Sequence, residues 1–184
     1  MRRLLLLVFW PRAVWADLRA RPVAPGRLLL GVLLPLALGI TLAHRVGAVW
    51  LNTEWSPTYG WPSQQLFGAA TGWVIFGLAL GGPLALAAVF AWLAPWCGGR
   101  RDFDASLAVA TWGTAPLLVA ACGLFFMPMI VVCLLAAVLC FRLYAEGVCA
   151  LLQVPPEDGP NLVIGSWLAM GALASFTGLG LRVL

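Results

Sequence analysis

Between Phe126 and Val154 the chain reads FMPMIVVCLLAAVLCFRLYAEGVCALLQV, an apolar run that carries two charges, Arg142 and Glu146. A spacing of four puts both on one face of a helix. Ionisable groups at membrane depth are costly and face protein or water, so this pair is where chemistry is sought first. Two roles are open to it. Facing a cavity, it would serve a small-solute or ion pathway. Facing outward, Arg142 would extend its stem toward the interface and pair with Glu146 or with Asp104. Arg142 lies about 20 Å along a helix begun at Met129, at ~1.5 Å per residue. In a hydrocarbon core of ~30 Å that is the cytoplasmic side of the midplane. An intramembrane enzyme would have to use Glu146 and Cys149, three apart on one face. No second carboxylate or histidine stands at comparable depth to complete an acid–base pair, so no catalytic residue is assigned.

Other chemistry-bearing types give weaker signals. The five cysteines, at 97, 122, 133, 140 and 149, form no C-x-x-C and do not alternate with histidine. Four fall in apolar stretches, where cysteine acts as a small hydrophobe. The single histidine, His44, stands beside Arg45 without metal-ligating company, so no metal site is expected. Gly98-Gly99 is followed by Arg-Arg-Asp rather than G-K-[ST] and is not a phosphate loop. No cofactor is implied.

The elements that would position these residues follow from composition. Of 184 residues, 62% are hydrophobic and 10% charged, and mean hydropathy is +0.97. Soluble chains carry roughly 25% charged residues. The fold class is therefore an all-α integral membrane protein. The spacing predicts five transmembrane helices in one bundle, over about 28–43, 65–96, 107–126, 129–153 and 161–181. They form a membrane domain of residues 28–184 behind an N-terminal interfacial segment, residues 1–27. In that segment Val14, Trp15 and Leu18 fall on one side of a helix and Arg12 and Arg19 on another. This predicts one or two short amphipathic helices over residues 2–21 on the membrane surface, Pro11 suiting a first helical position, with Trp10 and Trp15 at headgroup level.

Glycines and prolines punctuate the spans. Gly68 and Gly72, and Gly77 and Gly81, each form G-x-x-x-G, and Gly171 with Ser175 makes a small-residue seam. These are faces on which helices approach closely, within the chain or with a partner. Pro35, Pro83 and Pro116 are expected kinks, with a break or kink at Gly81-Gly82-Pro83. Thr111 and Thr114 stand ready to satisfy the carbonyl that Pro116 frees. Residues 44–65, with Trp50, Trp55, Tyr59 and Trp61, read as an interfacial polar loop. Gly98-Gly99 predicts a tight turn, and Asp104 or Ser106 a cap on the third span. The short Met127-Pro128 turn makes spans three and four antiparallel neighbours.

All eleven basic residues are arginine, six of them before residue 28. Arginine without lysine, with abundant Ala, Leu, Gly and Trp, is the usage of a GC-rich genome and points to bacteria. With five spans and a cytoplasmic N-terminus, eight arginines lie inside and two outside. This places the chain in an inner membrane with its C-terminus periplasmic. The net charge of +4 serves orientation and does not argue for nucleic acid.

From Phe103 to Gly147 the chain resembles the bacterial branch of the Yip family, the Ypt/Rab-interacting-protein domain. The pattern entering span three stands here as Phe103, Ser106, Leu107, Val109, Gly113, Pro116, Leu117 and Leu118. A Tyr-x-x-Gly run ends span four as Tyr144 to Gly147, and Trp15, Arg21 and Pro22 match before span one. The DLYGP-type motif of eukaryotic members is absent, so Rab binding is not carried over. The resemblance implies a five-helix bundle with a role in membrane organisation and no catalytic residues. The expected function is a non-enzymatic scaffold, accessory subunit or membrane-organising factor. Its partners would be the lipid bilayer and a protein, or a second copy, reached through the small-residue faces. The alternative is a channel or transporter using Arg142 and Glu146.

Overall fold

The computed structural model describes residues 6–7, 9–54, 69–122 and 129–183, and all regular structure among them is helical. Helix α1 spans Pro11–Ala20. Helix α2, Pro25–Leu28, runs through a π-helical turn at Leu29–Leu33 into α3, Leu34–Glu54. Helix α4 is Ala69–Leu93 and tightens into a 3-10 turn at Ala94–Cys97. Helices α5, α6 and α7 are Phe103–Ala121, Met129–Leu151 and Gly159–Val183. Four segments among the described residues are long and apolar enough to cross a membrane: Pro25–Val46, Gly72–Cys97, Phe103–Ala121 and Val131–Leu151.

Helix α5 is the centre of the bundle. It buries 56% of its apolar window inside the chain, against 22–33% for the other three. Its longest shared faces are with α6 and α4, and α7 closes against both of those. Phe90, Leu107, Val109, Tyr144, Val148 and Leu162 make the main core between these four helices. Outward, Leu78, Leu134, Leu135, Val138 and Leu168 are 64–70% exposed. So much exposed large apolar surface suits hydrocarbon as its surroundings.

Several local outcomes differ from the sequence expectations. Residues 44–54 continue helix α3 instead of opening a loop, and residues 55–65 lie outside the described residues, as does the Met127-Pro128 turn. Helix α4 runs unbroken through Gly81, Gly82 and Pro83. In hydrocarbon a released backbone group has no water to bond, so the helical state persists through residues that would end it elsewhere. Before Pro35 the backbone widens: Leu34 N–H bonds Leu29 O across the π turn. The ring of a helical proline crowds the carbonyl four residues earlier, here Gly31, and the wider turn stands at that carbonyl. Thr114 does not serve the Trp112 carbonyl that Pro116 leaves free. Its hydroxyl donates to Ala110 O at 2.6 Å. The Thr111 hydroxyl, fully buried, has no partner among the described residues.

The turn between α4 and α5 is anchored on the end of α6. Gly98 sits at φ +70°, a left-handed cap. Gly99 N–H then bonds Ala94 O at 2.8 Å, and Arg100 N–H bonds Leu152 O at 2.8 Å. A Cβ at Gly99 would stand 2.5 Å from Val154 Cγ2, so only glycine lets this turn close. Helix α5 begins four residues earlier than expected because Asp102, not Asp104 or Ser106, is its cap. Asp102 is extended, and its Oδ1 accepts the Ala105 N–H at 3.1 Å. Asp104 falls in the first helical turn, and Ser106 turns back to Asp102 O.

The Ala105 N–H, helped by Arg100 at 2.6 Å, holds the Asp102 carboxyl below its usual range despite its partial burial. A depressed folded-state pKa gives stability that is present above the unfolded value of about 3.9 and lost as pH falls through the folded value. Asp102→Ala is expected to cost about 1 kcal/mol near pH 7. Melting in mild detergent between pH 7 and pH 3 measures it: the gap to wild type should close toward pH 3. Asp102→Asn, which caps without a charge, should lose the charge-dependent part. A gap that stays constant with pH would contradict the charged cap.

Candidate functional site

Helix α6 carries the site residues on two faces. On the outer face Arg142 Nε donates to Glu146 Oε1 at 3.1 Å, with the Arg142 side chain 63% exposed and Glu146 20% exposed. The second carboxylate oxygen, Oε2, is buried without a partner among the described residues. Asp104 is not brought to this pair. It is exposed at the start of α5, at the level of Leu152, whose carbonyl bonds the turn before it. Ten residues of helix, about 15 Å, separate Arg142 from Leu152. The sequence pairing of Arg142 with Glu146 is thus the contact present. Cys149 faces away, with its thiol toward Pro155 O and against Gly159.

The inner face of α6 is organised by Tyr144, 4% exposed. Its ring lies on Gly113 of α5, so closely that a Cβ at Gly113 would overlap ring carbons. The ring packs edge-on to Phe90 of α4 at 5.6 Å and to Trp167 of α7 at 6.4 Å. Its hydroxyl lies 2.6 Å from Thr114 Oγ1. Thr114 already donates to Ala110 O, so Tyr144 is the donor of this pair and the chain of hydrogen bonds ends on a backbone carbonyl. One side chain therefore ties four helices together and is fully satisfied in an apolar interior.

One turn on, Gly147 makes the second close approach. The Trp15 ring lies 3.0 Å, and Val109 Cγ1 3.1 Å, from where a Cβ would stand. Helix α1 buries Pro11, Val14, Trp15 and Leu18 against the bundle and leaves Arg12 and Arg19 outside. Trp15, placed at headgroup level by the sequence reading, is instead 1% exposed in a cluster with Leu28, Trp112 and Leu143. Trp10, 62% exposed, keeps an outward position.

The small-residue faces behave differently from Gly113 and Gly147. A Cβ at Gly77, Gly81 or Gly171 would meet nothing within 4 Å. At Gly72 it would meet the Arg45 side chain at 3.4 Å. Gly68 and the side chain of Ser175 lie outside the described residues. The residues that sequence reasoning did not single out as a site are Tyr144, Thr114 and Trp15. The signal was present in Gly113 and in Tyr144-x-x-Gly147, glycines paired with aromatics, but their partners lie on other helices. Among the described residues no group of His, Cys, Asp and Glu is placed to hold a metal ion.

Between α3, α4, α5, α6 and α7, on the far side of Tyr144, runs an apolar groove of about 480 Å³. It opens sideways between the helices, and Thr114 with Tyr144 makes a polar corner in it.

No curated protein and no solved structure matches the chain. The family model of the Yip1 domain matches residues 5–177, nearly the whole length and every residue of the Tyr144 and Trp15 contacts. The apolar helices and this match together place the chain among the membrane proteins of the Yip1-domain family.

Proposed function

We propose that this is a non-enzymatic accessory or scaffold protein of a bacterial inner membrane, and that it works by binding another membrane chain. In this reading α7, 25 residues long, supplies a fifth span, and residues 28–184 form one membrane domain. The arginine bias puts the N-terminus in the cytoplasm and the C-terminus in the periplasm. Residues 1–27 are the interfacial segment, with α1 on the cytoplasmic surface and Arg12 and Arg19 toward headgroups. Seated on Gly147, α1 would mark the interface about 7–8 Å from Arg142, within reach of a snorkelling guanidinium. Arg142 and Glu146 are then an outward-facing ion pair, which keeps a charge out of hydrocarbon without a pathway.

The observation that carries the proposal is the free small-residue face of α4. Val74, Gly77, Leu78 and Gly81 follow at i, i+3, i+4 and i+7, all exposed. Gly77 and Gly81 have open space above them while the internal close approaches use other glycines. A G-x-x-x-G with nothing on it among the described residues is open to a partner helix or a second copy. Extraction in mild detergent, sizing and identification of co-migrating chains tests this. A stoichiometric partner or homo-oligomer is expected, and Gly77→Ile with Gly81→Ile should release it without changing the melting of the chain. A solitary monomer at every expression level would overturn the proposal.

A further inference from the structure

The apolar groove has the dimensions and the charge of a lipid site. Along α4 it runs from Ile75 to Leu86, and along α6 from Cys133 to Tyr144. Each stretch is twelve residues, its ends about 16 Å apart along the helix. That is close to half of a ~30 Å hydrocarbon core, the depth of one leaflet. A groove of this length with an apolar lining suits a hydrocarbon chain. Its volume falls within the ~300–1,000 Å³ of small-ligand pockets.

A charge stands near one end. Arg45 of α3 reaches across to α4 and lies on Gly72, with Cδ and Nε each 3.4 Å from a Cβ position there. Gly72 precedes Ile75 by about one helical turn, so the Arg45 side chain lies about one turn beyond the Ile75 end of the groove. Among the described residues no carboxylate pairs with it. It is exposed at the end of the apolar window Pro25–Val46, where headgroups would lie. The opposite end closes on the Tyr144 and Trp167 rings and on the Thr114–Tyr144 pair, whose hydrogen bonds are already complete.

We propose that the groove holds one acyl chain of an anionic phospholipid from the leaflet on the Arg45 side, with the lipid phosphate at the Arg45 guanidinium. The tail lies along α4 and α6 and ends at Tyr144. A seated lipid would brace α3 and α4 against α5 where the protein leaves a gap, at the mouth through which only membrane chains approach.

Gly82 provides the decisive variant. It lines the groove, and a Cβ there meets nothing within 4 Å, so Gly82→Leu fills the space without striking backbone. The full chain is reconstituted in bilayer discs of equal phosphatidylglycerol and phosphatidylcholine, released into mild detergent and weighed by native mass spectrometry. Wild type should retain one phospholipid per chain, with phosphatidylglycerol favoured about fivefold, the effect of about 1 kcal/mol per interfacial arginine. Gly82→Leu should retain none. Arg45→Gln should retain one lipid with the preference gone. Equal retention by wild type and Gly82→Leu would overturn the proposal, as would equal headgroup ratios in wild type and Arg45→Gln. Should Gly82→Leu fail to fold, wild type with a phospholipid photoreactive at its tail end still decides. Adducts confined to residues 75–86 and 133–144 are expected, and adducts spread evenly over the exposed faces would overturn it. Bismaleimide cross-linking between two chains that keep only Cys133 would instead assign the groove to a second copy and overturn the lipid reading.

Discussion

Gly113→Leu is expected to be the most damaging single substitution in the bundle, lowering stability by 3 kcal/mol or more. Even the first carbon of a side chain at 113 overlaps the Tyr144 ring. Alanine there would gain up to about 1 kcal/mol of helix propensity over glycine. Overpacking a filled core costs about 1–3 kcal/mol, so the steric term wins already for alanine and grows for leucine. The ring has nowhere to go, because Phe90 and Trp167 hold it from two other helices. If it tilts, Tyr144 loses its bond to Thr114 and a buried hydroxyl is stranded, at about 1–3 kcal/mol more. A double-mutant cycle in detergent melts separates this from a general intolerance of α5. Tyr144→Ala alone should cost about 3–5 kcal/mol through its cavity. Adding Gly113→Leu to it should cost far less than in wild type, a coupling of at least 1 kcal/mol. Strict additivity would mean that the Gly113–Tyr144 contact is not what the glycine is for. Gly77→Ala and Gly171→Ala, with open space above them, serve as silent controls.

That contact also shows where the sequence stops being informative. Gly113 and Tyr144 were both visible as members of a pattern, and the membrane class and helical spans followed from composition and run length. What 113 and 144 do to each other depends on the register of α5 against α6, which no local signal sets. The cap was misplaced for a related reason. Asp102, Asp104 and Ser106 are all good capping types, and the choice of Asp102 depends on Arg100 being pinned to Leu152 O across the bundle. Residues 44–54 read as the start of an interfacial loop because of the aromatic residues over 44–65, yet nothing among them obliges a helix to stop, and α3 continues to Glu54. At Gly81-Gly82-Pro83 no break opens: strong breakers in water, these residues leave a helix continuous where no other bonding partner exists. The groove could not be anticipated at all, because its walls come from five helices and its floor is the absence of a side chain at Gly82.

Trp15→Ala is expected to release α1 from the bundle without melting it. Helix α1 is held to α6 by one short apolar side, Pro11, Val14, Trp15 and Leu18, in which Trp15 is the largest member and the one seated over a glycine. Truncating a buried tryptophan costs about 3–5 kcal/mol. The four-helix contacts of Tyr144 are separate from this cluster, so the loss falls on local opening of α1. Cleavage by trypsin at Arg12 and Arg19 reports the open population when opening is fast relative to cleavage. A loss of about 3 kcal/mol then raises the cleavage rate by about two orders of magnitude, at tenfold per 1.4 kcal/mol. The midpoint of melting, read from near-ultraviolet signals of α4 to α7, should move little. Gly147→Leu should reproduce the cleavage from the other side of the contact. Because Val109 also crowds that position, it should lower the midpoint as well. Equal cleavage of Trp15→Ala and wild type would show that Val14 and Leu18 suffice to seat α1. Cleavage that rises only in step with a falling midpoint would show that α1 and the bundle are one cooperative unit, with Trp15 part of the core rather than the latch of a separable helix.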